Sequence, residues 1–152
     1  MRKLKNIGLI AHDACKKDMV EWVTANAGQL ARHSLTCTGT TGRLVQEVFD
    51  QKFPDMKVKV HRLKSGPLGG DQQMGALIAS EQLDILVFLT DPMTMQPHDV
   101  DVKALIRLST IANIVVAYTR STADFIISSD LFDDEYEAVC RNHEEYIQRI
   151  IE

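Results

Sequence analysis

The sequence predicts an α/β fold, a single-domain three-layer sandwich. Its centre is a five-stranded parallel sheet of the Rossmann-like kind, with helices on both faces. Three observations predict it. Apolar strand, polar turn and amphipathic helix alternate along all 152 residues, the pattern of successive βαβ units. Two late segments, "DILVFLTD" and "IVVAY", are continuous apolar runs, as strands covered on both faces require. Polar clusters follow the strands, and such sheets bind ligands at the carboxyl ends of their strands.

The elements can be read in order. "IGLIAH", from Ile7 to His12, is a first strand. "KDMVEWVTANAGQLARH" places Met19, Trp22, Val23 and Leu30 at helical spacing. "SLTCTG" is a second strand, and "GRLVQEVFDQKF" a helix with Leu44, Val45, Val48 and Phe49 on one side. "MKVKVHRL" alternates, as a strand half open to solvent does. "DQQMGALIAS" is a helix, "DILVFLTD" the fourth strand, "VDVKALIRLSTIAN" a helix and "IVVAY" the fifth strand. "TADFIISSDLF" starts a short helix, and "EEYIQRIIE" is a last one. No repeat, linker or low-complexity tract interrupts residues 1–152, so one domain is expected.

Composition narrows the function classes. A net charge of −4 argues against a broad nucleic-acid footprint. No apolar run approaches the roughly 20 residues of a membrane span. The start, "MRKLKNIGLIAHDACKK", reads as a strand and not a signal peptide, because His12 and Asp13 follow a short apolar run without a small-residue cleavage site. Cys15, Cys37 and Cys140 are odd in number and form no CxxC pair. Reduced thiols and a cytoplasmic location are the expectation.

The clusters carry the chemistry. "CTGTTGRLV" sets Thr38, Gly39, Thr40 and Thr41 before a helix. Exposed amides at a helix start attract anions, and glycine admits a phosphate close to the backbone. The string is neither GK[ST] nor GxGxxG, and a polar turn with a threonine cap also fits it. Lys16, four residues after His12, sits at a helix start. The dipole disfavours a lysine there unless it faces an anion.

"KSGPLGGDQQ" offers Ser65 and Gly66, then Asp71 at an expected helix N-cap. A capping box would need Glu or Gln at position 74, which is Met. Capping and general-base chemistry both remain open for Asp71. "DPMTMQPHDVD" carries Asp91, His98, Asp99 and Asp101, stiffened by Pro92 and Pro97. Such a set could bind a metal or move protons, and Asp101 could simply cap the helix that follows.

Together these pieces resemble methylglyoxal synthases. The strings that carry the resemblance are "IGLIAHDACK", "TGTTG", "SGPLGGDQQMGALIA", "DILVFLTDPMTMQPHDVDVKALIRL" and "TADFII", over roughly residues 5 to 128. The resemblance implies a methylglyoxal-synthase-like fold and a lyase. It would convert dihydroxyacetone phosphate to methylglyoxal and inorganic phosphate, the glycolytic bypass reaction, with neither metal nor organic cofactor. It also implies a homohexamer, inhibited by phosphate, with no nucleic-acid or membrane partner.

Carried over by position, Asp71 corresponds to the family's catalytic base, which removes a proton beside the substrate carbonyl to give an enediolate. His98 corresponds to a group on the substrate's oxygens. Asp101 corresponds to a carboxylate that holds His98 or shares its proton. Asp91 and Asp13 correspond to further site acids. His12, Lys16, Thr38, Gly39, Thr40, Thr41, Ser65 and Gly66 correspond to substrate and phosphate contacts. The tail "EYEAVCRNHEEYIQRIIE" matches poorly, and Arg149 stands about one residue from the arginine that reaches a neighbouring subunit's phosphate site in the family. Arg120 is an extra local cation.

Two other classes fit parts of the chain. A non-catalytic phosphate- or nucleotide-binding regulatory module, as this domain type forms in carbamoyl-phosphate synthetase and a purine-biosynthetic cyclohydrolase, needs the phosphate cradle but not the acid–base set. A metal-dependent enzyme would use Asp91, His98 and Asp101 as ligands.

Overall fold

A computed structural model describes residues 1–95, 98–139, 142–143 and 148. Five strands form one sheet: β1 (Asn6–Ala11), β2 (Ser34–Cys37), β3 (His61–Arg62), β4 (Ile85–Leu89) and β5 (Val115–Ala117). Their order is β3-β2-β1-β4-β5 and every pair is parallel. Among the described residues six α-helices accompany them: α1 (Lys16–Ala25), α2 (Ala27–Leu30), α3 (Gly39–Lys52), α4 (Gly70–Ala79), α5 (Asp99–Ile111) and α6 (Arg120–Ile127). Among the described residues no helix is long and apolar enough to cross a membrane.

The two-residue period of the strands sorts their side chains between two cores. Ile7, Leu9 and Ala11 of β1, with Ile85, Val87 and Leu89 of β4, join one cluster. There they meet Met19, Trp22 and Val23 of α1, Val45, Val48 and Phe49 of α3, and Ala123 and Ile127 of α6. Ile10, Leu86 and Phe88 point the other way and meet Met74 and Ile78 of α4 and Leu105 of α5. Each fully buried large side chain contributes about 1.5–3 kcal/mol. Gly8 faces this second core, where a Cβ would come within 2.9 Å of Met74 Sδ. Helix α4 therefore lies close against the central strand.

The chain winds outward from β1 through β2 to β3, then crosses to β4 on the other side of β1. The carboxyl ends of β1 and β4 thus flank the point where the winding reverses, which is where open sheets open a crevice. The His12 amide donates to the Leu89 carbonyl at 3.1 Å across that point.

Three expected elements are corrected. The strand expected at 56–63 pairs only at His61 and Arg62. Upstream, the Gln46 side chain takes over the backbone groups: the Val60 amide donates to Gln46 Oε1 (2.8 Å), and Gln46 Nε2 donates to the Val58 carbonyl (2.9 Å). The helix expected over 17–33 is broken at Asn26, whose Nδ2 donates to the Trp22 carbonyl at 2.8 Å and caps α1. Helix α6 starts at Arg120, because Thr119 caps it by accepting from the Thr122 amide. The last expected helix, over 144–152, falls mostly outside the described residues, as do Pro97, Cys140 and Arg149.

Candidate active site

A cavity of about 250 Å³ opens at the carboxyl ends of the strands. Its wall includes His12, Asp13, Lys16, Thr38, Thr40, Thr41, Ser65, Gly66, Asp71 and His98. Ten of the expected residues are therefore brought together from four separate stretches of the chain. Ile10, Ala11, Pro67 and Phe88 complete the wall. Their spacing marks them only as strand or turn residues, so the apolar floor they form is not visible in the sequence.

One side of the cavity is built by α3. Thr38 stands at its N-cap with extended backbone (φ −71°, ψ 146°), yet its hydroxyl makes no capping bond. The first-turn amides of a helix have no intrahelical partner. They carry the positive end of the dipole, so this wall suits an anion. Gly39 lies behind the wall. Its amide donates to the Lys64 carbonyl at 2.9 Å, and a Cβ there would come within 2.4 Å of Ser65 Oγ. That close approach sets Ser65 against the start of α3. Lys16 adds the cation and pairs with Asp13, whose side chain is 94% exposed. The Lys16 ammonium holds the Asp13 carboxyl below its ordinary range, by hydrogen bond and by charge.

The acid side is built by the glycine turn. Gly69 takes a left-handed conformation (φ 97°) and is itself the N-cap of α4. Asp71 is the second helical residue and makes no capping bond. This corrects the expected capping role: the acid is spared for the cavity. A Cβ on Gly70 would meet the Lys64 carbonyl at 2.0 Å, so only glycine lets the turn close this tightly. The Asp71 side chain is 2% exposed and its Oδ2 lies 3.5 Å from His98 Nε2. Gly66 lies against both groups: a Cβ there would stand 2.9 Å from Asp71 Oδ2 and 3.2 Å from His98 Nε2. Burial pushes the Asp71 carboxyl above its ordinary range; His98 pulls it back, and the charge of Asp101 adds to the rise.

Three buried polar atoms of the cavity residues, Asp71 Oδ2, His12 Nε2 and His98 Nδ1, have no hydrogen-bond partner among the described residues. Buried polar groups are nearly always paired. Three such atoms on residues of one cavity suit a polar ligand there. The His12 ring stands edge-on to Phe88 at 5.1 Å and to His98 at 6.3 Å.

The remaining expected residues lie outside the cavity wall. Asp101 is the third residue of α5 and does not cap it; His98 holds the N-cap position. Asp101 lines a groove between α4 and α5 that has Asp71 at one end. Its link to His98 is through the backbone, the Asp101 amide donating to the His98 carbonyl at 2.9 Å. Asp91 lies on the far side of His12, in a separate recess with Met93 and Tyr118. Arg120 pairs with Glu21 at 3.1 Å. Among the described residues, no group of three His, Cys, Asp or Glu side chains is placed to hold a metal ion, so Asp91, His98 and Asp101 do not form a ligand set.

The MGS-like domain family matches residues 18–118, a span that carries Thr38 through Asp101. Methylglyoxal synthase of Maridesulfovibrio salexigens is 47% identical, covering 98% of this chain and 99% of its own. That of Yersinia enterocolitica is 50% identical over 95% of this chain and 91% of its own. The crystal structure of methylglyoxal synthase from Elizabethkingia anophelis superposes with a TM-score of 0.89 at 47% identity, covering all of this chain and 95% of that one. With the fold, the matched segment and near full-length likeness in agreement, the chain belongs to the methylglyoxal synthase family.

Proposed function

We propose that this chain converts dihydroxyacetone phosphate to methylglyoxal and inorganic phosphate. One observation carries the reading. A buried, unpartnered Asp71 carboxylate oxygen faces the same 250 Å³ cavity as a helix start ringed by threonines and a lysine. An acid–base group and an anion cradle on one small cavity suit a small phosphorylated substrate.

In this mechanism Asp71 takes a proton from the substrate's hydroxymethyl carbon, beside the carbonyl. The electron pair left behind forms an enediolate, whose charge His98 and His12 stabilise from the carbonyl side. The former hydroxymethyl oxygen then gives up its proton and forms the aldehyde carbonyl, and the double bond shifts to the neighbouring methylene. The carbon–oxygen bond to phosphate breaks, and the departing phosphate takes up that proton. Elimination needs that bond aligned with the enediolate π system, which is a matter of positioning. The cradle of Thr38, Thr40, Thr41, Ser65, Gly66 and Lys16 holds the phosphate and stabilises the charge it gains on leaving. The enol that remains takes a proton on carbon and becomes methylglyoxal. Asp101 acts on Asp71 through its charge.

The family resemblance brings with it a homohexamer and phosphate inhibition. Large apolar side chains left in solvent, among them Phe125 (79% exposed) and Met95 (90%), support a self-association. Sedimentation of the purified protein tests it: a species six times the 17.1 kDa chain is expected, and a monomer at all concentrations contradicts it.

The activity is tested by giving the protein dihydroxyacetone phosphate and following phosphate and dicarbonyl together. Equal release of both is expected. Absence of both, with phosphate binding intact, would assign the chain to a binding module.

A further inference from the structure

Asp91 does not line the cavity, yet its backbone holds a residue that does. The Asp91 amide donates to His12 Nδ1 at 3.0 Å. A ring nitrogen that accepts from an amide carries no proton, so the His12 proton sits on Nε2. That nitrogen is one of the buried atoms on the cavity residues that make no hydrogen bond among the described residues. The ring stands edge-on to Phe88 and to His98, and the His12 backbone is anchored by its amide bond to the Leu89 carbonyl. The Asp91 carboxylate turns back on its own loop: it accepts from the Met93 amide at 2.9 Å and from Thr94. Those donors, the Thr94 hydroxyl foremost, hold the carboxyl below its ordinary range.

We propose that Asp91 is a positioning residue for the elimination. Its carboxylate folds the 91–94 turn so that its amide fixes His12 as the Nε2–H tautomer, a hydrogen-bond donor aimed at a substrate oxygen. This rests on the lyase reading above. It gives Asp91 a role in place of the proton transfer expected from the sequence: a side-chain oxygen that accepts from its own turn. Asparagine can still accept from Met93 and Thr94, whereas alanine cannot.

The test compares Asp91→Asn and Asp91→Ala with the parent, by turnover and by 15N NMR of the His12 ring. His12→Gln identifies the His12 signals among the five histidines. Expected is a small fall in turnover for Asp91→Asn and a fall of about a hundredfold for Asp91→Ala, the scale of losing one preorganised donor. The Nε2–H tautomer should be kept in the parent and Asp91→Asn, and mixed in Asp91→Ala. Equal losses in both variants would overturn the proposal and restore Asp91 as a proton-transfer acid. An Nδ1–H tautomer in the parent would overturn it directly. Should Asp91→Ala not fold, Asp91→Asn and the parent spectrum decide alone. A parent without turnover but with the Nε2–H tautomer would sink the lyase reading and leave the geometry standing.

Discussion

Asp71 Oδ2 lies 3.5 Å from His98 Nε2, and Gly66 offers both of them a surface with no side chain in the way. The pair is buried at the end of a cavity whose other wall is the start of α3. Opposed influences act on the Asp71 carboxyl. Burial and the Asp101 charge disfavour its ionised form, while His98 favours it. A carboxyl raised in this way is a stronger base when it does ionise, which suits removal of a carbon-bound proton.

That balance sets the acid limb of kcat/KM. Activity needs Asp71 ionised, so the rate should rise with pH through a midpoint above the ordinary aspartate value. Asp101→Asn removes a negative charge that raises the Asp71 carboxyl. The midpoint should then move to lower pH, whatever happens to the maximal rate. A pH profile of the variant checks this; a limb that stays put or moves upward contradicts the assigned coupling.

Stability should move opposite to activity at Asp71. The unfolded chain releases this proton near the ordinary aspartate value, whereas the native state holds it to higher pH. Between those points the native state binds more protons, so stability falls as pH rises and then levels off. Asparagine cannot ionise and escapes that loss. Asp71→Asn should melt higher than the parent at neutral pH, and the gap should close on acidification. A lower Tm for the variant at neutral pH would show that the carboxylate is stabilised in place.

Gly66 tests the site's geometry without removing a side chain. An alanine Cβ would stand 2.9 Å from Asp71 Oδ2 and 3.2 Å from His98 Nε2. Something must move by a fraction of an ångström. Displacement on this scale in a preorganised site costs about a hundredfold in rate. Gly66→Ala should therefore lose turnover on that scale while its melting curve changes little. Parent-like kcat would mean that the two groups need not keep their spacing.

Asp13 competes with the phosphate for Lys16. Its side chain is exposed, so the pair adds little stability. Asp13→Asn should lower KM for the triose phosphate at low ionic strength, and the gain should fade with added salt. A raised KM would instead show that Asp13 aims the lysine.

The strand–helix alternation and the clustering of polar turns were readable because they rest on local periodicity. Where a side chain intervened from elsewhere, periodicity failed. Gln46, 14 positions away from Val60, replaced the ladder that the 56–63 alternation implied. Asn26 ended α1 inside a pattern that continued to look helical. At the site, ten residues converge as their positions in the strand ends suggested. The capping role of Asp71 was excluded only by the left-handed Gly69, since backbone angles decide which residue of "GGD" holds the cap. The separation of Asp91 from the cavity was equally hidden. Motif spacing places a residue near a site but does not say which way its carboxylate turns.

The central claim is that Asp71 is the base of the elimination. Its most direct test is single-turnover release of phosphate from dihydroxyacetone phosphate by Asp71→Asn, beside phosphate binding by the same variant. A rate lower by several orders of magnitude, with phosphate affinity and fold retained, is the predicted result. Turnover near that of the parent would contradict it.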